Sequence, residues 1–78
     1  MIRVKMCGIT SLAELETAAA AGADAVGVLA GQRHPAGDFV TVDQARAICS
    51  AAHPFLTTVL VTHLTQATGV RELVRQIP

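Results

Sequence analysis

Four side chains able to do chemistry fall at or just beyond the ends of short apolar runs: Cys7, Arg33, His34 and His63. An ionised thiol is a nucleophile or base, an imidazole exchanges protons near neutrality, and a guanidinium holds carboxylates or phosphates. Cys7 closes the run Ile2-Arg3-Val4-Lys5-Met6, precedes Gly8 and lies just ahead of a helix start at Ser11. The positive end of such a helix favours negative charge on sulfur, and Lys5 adds a cation two residues back on the same face. Position alone leaves Cys7 as either a poised base or a small space-filler. Cys49 recurs at helix-face spacing with Ala45, Ile48 and Ala52, which makes it a packing residue. Arg33 and His34 occupy a loop between Gly31 and Gly37, where solvated side chains and ligand contacts are both common. His63 follows an apolar run and divides between a structural and a binding role, while His53 beside Pro54 suits a helix C-terminus. Zinc held by Cys7, His34 and His63 would lack any metal-motif spacing, so no metal is expected.

Composition narrows the chemistry. The chain has 78 residues, one domain at most, with six Lys+Arg against six Asp+Glu and a formal net charge of zero, which argues against a nucleic-acid surface. Hydrophobic residues make up 51% and charged ones 15%, the reverse of what a disordered chain needs. No apolar run approaches the roughly 18 residues of a membrane span, and Arg3, Lys5 and Glu14 leave no room for a secretory core. The expectation is a soluble, cytoplasmic protein with no membrane partner and with its two cysteines reduced. Two Phe and no Trp or Tyr build neither a base-stacking platform nor an aromatic cage.

The elements that must position these side chains repeat in order. Residues 2–7 alternate as a strand; Ser11 and Glu14 form a capping-box pattern before an alanine-rich helix over 12–21; Gly22 ends it. Residues 25–30 read as a second strand, 31–40 as a loop, and Thr41 with Gln44 as a second capping box opening a helix over 42–52. Residues 56–61 are a third strand, 62–68 a polar link, and Val70, Leu73, Val74 and Ile77 fall at helical spacing. Three strand-helix units with strands apolar enough to be buried predict an α/β fold with a parallel sheet. Its helices cover one face only, so a second face and two edges are left bare, and more chain, a second copy or a partner must complete them. Strand C-terminal ends share one rim in such folds, and that rim would gather Cys7, Arg33, His34, Thr62 and His63. Arg3 and Lys5 are solvated if their strand is an edge; inside a closed sheet Lys5 would need a carboxylate from elsewhere, since Asp24 only precedes a strand.

Val4-Lys5-Met6-Cys7-Gly8-Ile9-Thr10 resembles the "K-x-C-G-I-T" first strand of the phosphoribosylanthranilate isomerases, enzymes of tryptophan biosynthesis. Residues 20–27, AAGADAVG, are similar to that family's "AGADAxGF", residues 39–45 to its "Y/F-V-S-P-E-Q-A", and Pro54-Phe55 to its "PPF". The resemblance implies a partial (β/α)8 TIM barrel, namely the first three βα units, in a single domain over residues 1–78. It implies that Cys7 is the general base of an Amadori rearrangement, taking the sugar C2 proton of a ring-opened iminium. It implies no cofactor and a small phosphorylated sugar substrate once the barrel is complete. The family's general acid, an aspartate of a later strand, and its late phosphate loops have no counterpart here. Asp38 stands where the family carries the arginine of "S-P-R", with Arg33 upstream as the nearest substitute beside His34-Pro35, and His63 departs from "V-F-V-N". Cys7 is therefore expected as base, and Arg33, His34 and His63 as substrate contacts, in a chain inactive by itself. The rival reading is a non-catalytic half-barrel module that assembles as a homo-oligomer or with a complementary barrel fragment.

Overall fold

The computed structural model describes residues 2–77. Met1 and Pro78, the ends of the domain expected over 1–78, lie outside the described residues. Six elements alternate: β1 (Lys5–Met6), α1 (Leu12–Ala20), β2 (Ala25–Leu29), α2 (Val42–Ala51), β3 (Thr57–Val61) and α3 (Ala67–Gln76). The strands form one parallel sheet in the order β1-β2-β3, with Lys5 opposite Ala25, and Ala25 through Leu29 opposite Thr57 through Val61. No helix among the described residues is long and apolar enough to cross a membrane.

The helix ends follow from local chemistry. Ser11 Oγ accepts from the Glu14 amide at 3.1 Å, but the Glu14 carboxylate reaches past Ser11 to accept from the Thr10 amide and hydroxyl at 2.6 and 2.7 Å. The expected reciprocal box is thus shifted by one residue at its return arm. At α2 the box is complete: Thr41 Oγ1 accepts from the Gln44 amide and Gln44 Oε1 from the Thr41 amide, a cap worth about 1 kcal/mol. α1 ends in a Schellman motif, with Gly22 at φ 90° and its amide on the Ala19 carbonyl, and the Ala23 amide on Ala18. α3 begins earlier than its apolar spacing predicts, because Gln66 already accepts the Val70 amide at 3.1 Å and draws residues 67–69 into the first turn.

The core lies on one side of the sheet. Val26, Val28 and Ala30 alternate along β2 and its end, are fully buried, and pack with Leu15 and Ala18 of α1, Ala45 and Ile48 of α2, and Leu73 of α3. Arg46 Nε donates to the Gln76 carbonyl at 2.7 Å and ties α2 to the end of α3. Burial of all three strands is not observed. Only β2 is buried along most of its length, from Val26 to Leu29; β3 is half-buried along most of its length and β1 is exposed. β2 alone has a neighbour on each side as well as helices above it, whereas no helix among the described residues packs on the opposite face.

β1 is also shorter than the strand read over residues 2–7. As an edge strand it has one partner, and its ladder begins only where Ala25 starts. Upstream the Asp24 carboxylate substitutes for a strand neighbour: Oδ2 accepts the Val4 amide at 2.8 Å, while the Val4 carbonyl accepts the Asp24 and Ala25 amides. Downstream the Ile9 amide reaches the Gly27 carbonyl at 3.0 Å.

The α1 cap responds to pH. The Thr10 hydroxyl, then the Thr10 amide, hold the Glu14 carboxyl below its ordinary value, outweighing a small opposing desolvation. A depressed carboxyl stabilises the fold above the unfolded pKa, about 4.3, and that contribution is lost as pH falls through the folded-state value. Glu14→Ala should therefore lower the denaturation midpoint at pH 7, with the difference from the unmodified chain closing toward pH 3 in parallel urea titrations.

Candidate functional site

Parallel pairing brings the C-terminal ends of β1, β2 and β3 to one rim, and the residues beyond them build the site. Alternation along the strands puts Val26 and Val28 toward the helices, so Gly27 faces the bare side, level with Val59 of β3 and with Cys7 just past β1. A Cβ at Gly27 would lie 2.8 Å from Cys7 Sγ and 3.3 Å from its Cα. The thiol therefore rests over a glycine, on the open face, and Cys7 is exposed. Gly27 received no role in the sequence reading; a glycine in mid-strand is itself the signal of a close approach. Gly8, at φ 79°, turns the chain out of β1, and a Cβ there would meet Asp38 Oδ2 at 3.3 Å. Asp38, from the β2–α2 loop, is thus beside the residue that follows the thiol.

The other candidates gather at the ends of β2 and β3. His63 Nδ1 accepts both the Arg33 and His34 amides, each at 3.1 Å. The His63 ring lies 4.9 Å from that of His34 and 4.3 Å from that of Phe39, centre to centre. Thr62 Oγ1 donates to the Gly31 carbonyl at 3.5 Å and accepts the Leu64 amide at 3.1 Å, and Gln32 Nε2 bridges the His34 and Ala36 carbonyls. Arg33 joins this cluster through its backbone and is an exposed residue. No hydrogen bond links Cys7 to Arg33, His34 or His63 among the described residues. The site therefore has two parts on the rim, a thiol on the β1 side and an imidazole-centred cluster on the β3 side.

The remaining candidates resolve by packing. Lys5 is exposed on its edge strand, and the ion pairs among the described residues are the surface pairs Asp43–Arg46 and Glu72–Arg75. His53 does not serve a helix end: its Nδ1 accepts the Phe55 amide at 3.3 Å, shaping the turn into β3. Among the described residues no three His, Cys, Asp or Glu converge on a metal position. Cys49 is half-buried against β3; desolvation pushes its thiol upward, opposed by a hydrogen bond with Thr58. The two cysteines should separate kinetically. With limiting iodoacetamide at neutral pH, peptide mapping should find Cys7 alkylated well before Cys49, and equal rates would contradict the exposed placement of Cys7.

No protein-family model matches the chain. Individual proteins do. It is 36% identical over 75 residues to N-(5'-phosphoribosyl)anthranilate isomerase 2 of Methanosarcina mazei, covering 96% of this chain and 33% of that one. It is 50% identical over 58 residues to the N-(5'-phosphoribosyl)anthranilate isomerase of Pseudomonas syringae pv. tomato, covering 74% of this chain and 27% of that one. The crystal structure of the Thermus thermophilus phosphoribosyl anthranilate isomerase superposes with a TM-score of 0.85 at 34% identity, covering 97% of this chain and 37% of that one. A phosphoribosyl anthranilate isomerase in complex with reduced 1-(o-carboxyphenylamino)-1-deoxyribulose 5-phosphate gives 0.87 at 28%, with 99% and 39% covered. The chain spans about a third of the length of the curated relatives it matches. Three consecutive βα units, the glycine beneath the strand-one thiol and these similarities lead to one conclusion: the chain belongs to the phosphoribosylanthranilate isomerase family and corresponds to the first three βα units of its (β/α)8 barrel.

Proposed function

We propose that these residues supply the base-bearing third of an isomerase that carries out the Amadori rearrangement of N-(5'-phosphoribosyl)anthranilate in tryptophan biosynthesis, in the cytoplasm. The observation that carries this reading is the exposed Cys7 thiol, lying over Gly27 at the C-terminal rim of the sheet, where barrel enzymes do their chemistry. In the reaction, opening of the furanose ring leaves an iminium at C1. Cys7 as thiolate then takes the C2 proton, the electron pair of that C–H bond forms the C1–C2 double bond of an enolamine, and tautomerisation gives the aminoketose. Arg33, His34 and His63 are the substrate contacts of this proposal, on the β3 side of the same mouth. His63 can offer only Nε2, because the loop amides occupy Nδ1.

Residues 1–78 contain no aspartate placed on a later strand and no late phosphate loop, so by themselves they should not turn over substrate. Losing one acid or base typically forfeits about 10²–10⁴-fold in rate, and losing a phosphate site removes binding energy besides. The test is a chimera in which this chain replaces the corresponding third of the Methanosarcina mazei relative, assayed by the fall in phosphoribosylanthranilate fluorescence. Expected are activity in the chimera, a loss of at least about 100-fold on Cys7→Ala, and none in the isolated chain. A folded chimera indifferent to Cys7→Ala would end the assignment of the base.

One observation also favours assembly. Ile2 is 87% exposed, and Val4 and Met6 are each exposed by more than two-fifths, all at the β1 edge. Beside them a groove of about 340 Å³ runs between β1 and α1, lined by Met6, Cys7, Gly8, Ile9, Ala13, Glu14, Thr17 and Ala18. An exposed cluster of large apolar side chains of this kind is normally covered. In sedimentation velocity at micromolar concentration, the chain should self-associate or bind a complementary fragment carrying the remaining units; a strictly monomeric, folded species indifferent to that fragment would contradict this.

A further inference from the structure

We propose that His63 is a positioning residue: a neutral imidazole, held as the Nε2–H tautomer, that clamps the β2–α2 loop across the mouth by accepting two consecutive backbone amides. The Arg33 and His34 amides both point to Nδ1 at 3.1 Å. An Nδ1 that accepts a hydrogen bond bears no proton, so in the neutral ring the proton is on Nε2. Two successive amides converging on one point form the kind of concavity that elsewhere takes an anion; here the imidazole lone pair fills it.

The same ring holds the loop at its other limb. Phe39, which pairs with the end of β2 at Leu29, lies 4.3 Å from His63, and the His34 ring lies 4.9 Å away. One side chain from the β3–α3 connection thus grips both the outgoing limb, at Arg33 and His34, and the returning limb, at Phe39. Thr62 acts one step lower, its hydroxyl on the Gly31 carbonyl, in a space that a Cβ at Gly31 would enter. The loop spans twelve residues, 30–41, with no helix or strand of its own, so without the clamp the Arg33 and His34 amides would face water. Fixing it fixes where the Arg33 and His34 side chains leave the backbone. The clamp does not depend on the isomerase reading, since it concerns the loop rather than turnover.

The test uses the full chain, labelled with nitrogen-15, at pH 7.5. Long-range proton–nitrogen spectra of the imidazoles should give His63 the pattern of a protonated Nε2 and an unprotonated Nδ1. Amide exchange should be slowed at Arg33 and His34, and His63→Ala should speed it at both by about tenfold, the size of one lost hydrogen bond, while Val26 and Val28 keep their protection. His63→Asn, whose Oδ1 can accept in place of Nδ1, should restore most of the slowing. An Nδ1–H tautomer would overturn the proposal. So would equal acceleration in the Asn and Ala variants, which would mean the ring acts by bulk alone. If His63→Ala fails to fold, the tautomer of the unmodified chain and the Asn variant still decide.

Discussion

Parallel pairing of Ala25–Leu29 with a neighbour on each side is the interaction on which the remaining structure rests. Parallel strands point their C-terminal ends the same way, so pairing in register collects the residues after β1, β2 and β3 on one rim without any local instruction to do so. The pairing also divides the side chains of β2. Val26 and Val28 go into the helix-covered core, and Gly27 goes to the open face, where its missing side chain makes room for the Cys7 sulfur. A single strand therefore anchors the fold and sets the floor of the site.

The packed core and the candidate site lie on opposite sides of the same sheet. The helix side is closely packed with small and branched residues, several of them fully buried, and is tied at its margin by Arg46 to the last turn of α3. The open side has a thiol, a lysine and the ends of half-buried strands. With a strand partner on one side only, β1 is a weak edge, and Asp24 offsets part of that weakness by accepting the Val4 amide upstream of the ladder. The exposed apolar residues of β1 and the accessible thiol lie together at this edge, and the related structures extend well beyond the part that this chain covers.

The two halves of the rim are built by different means. Cys7 is placed by backbone geometry: a strand end, a glycine beneath it and a glycine turn after it. The β2–α2 loop has no regular structure to place it and depends on side chains from β3 and beyond, chiefly the Thr62 hydroxyl and the His63 ring. Rigid elements place the Cys7 sulfur, and a cross-loop hydrogen-bond pair shapes the wall opposite.

What the amino-acid sequence determined was whatever depends on neighbours a few residues apart. Helix starts at Ser11 and Thr41, the glycine stop at Gly22, the order of the six elements, the packing role of Cys49 and the candidacy of Cys7 all follow from periodicity, capping and turn chemistry. What only the tertiary structure decided depends on partners about 20 to 30 positions away. The length and exposure of β1 depend on where Ala25 lies and on the reach of Asp24; the role of Gly27 depends on a sulfur from another strand. His63 read equally as structural or ligand-binding because the amides that choose its tautomer belong to a loop 29 and 30 residues earlier. A hydrogen bond of that span leaves no periodic trace in the chain, since its geometry exists only once two strands have paired and brought their ends together.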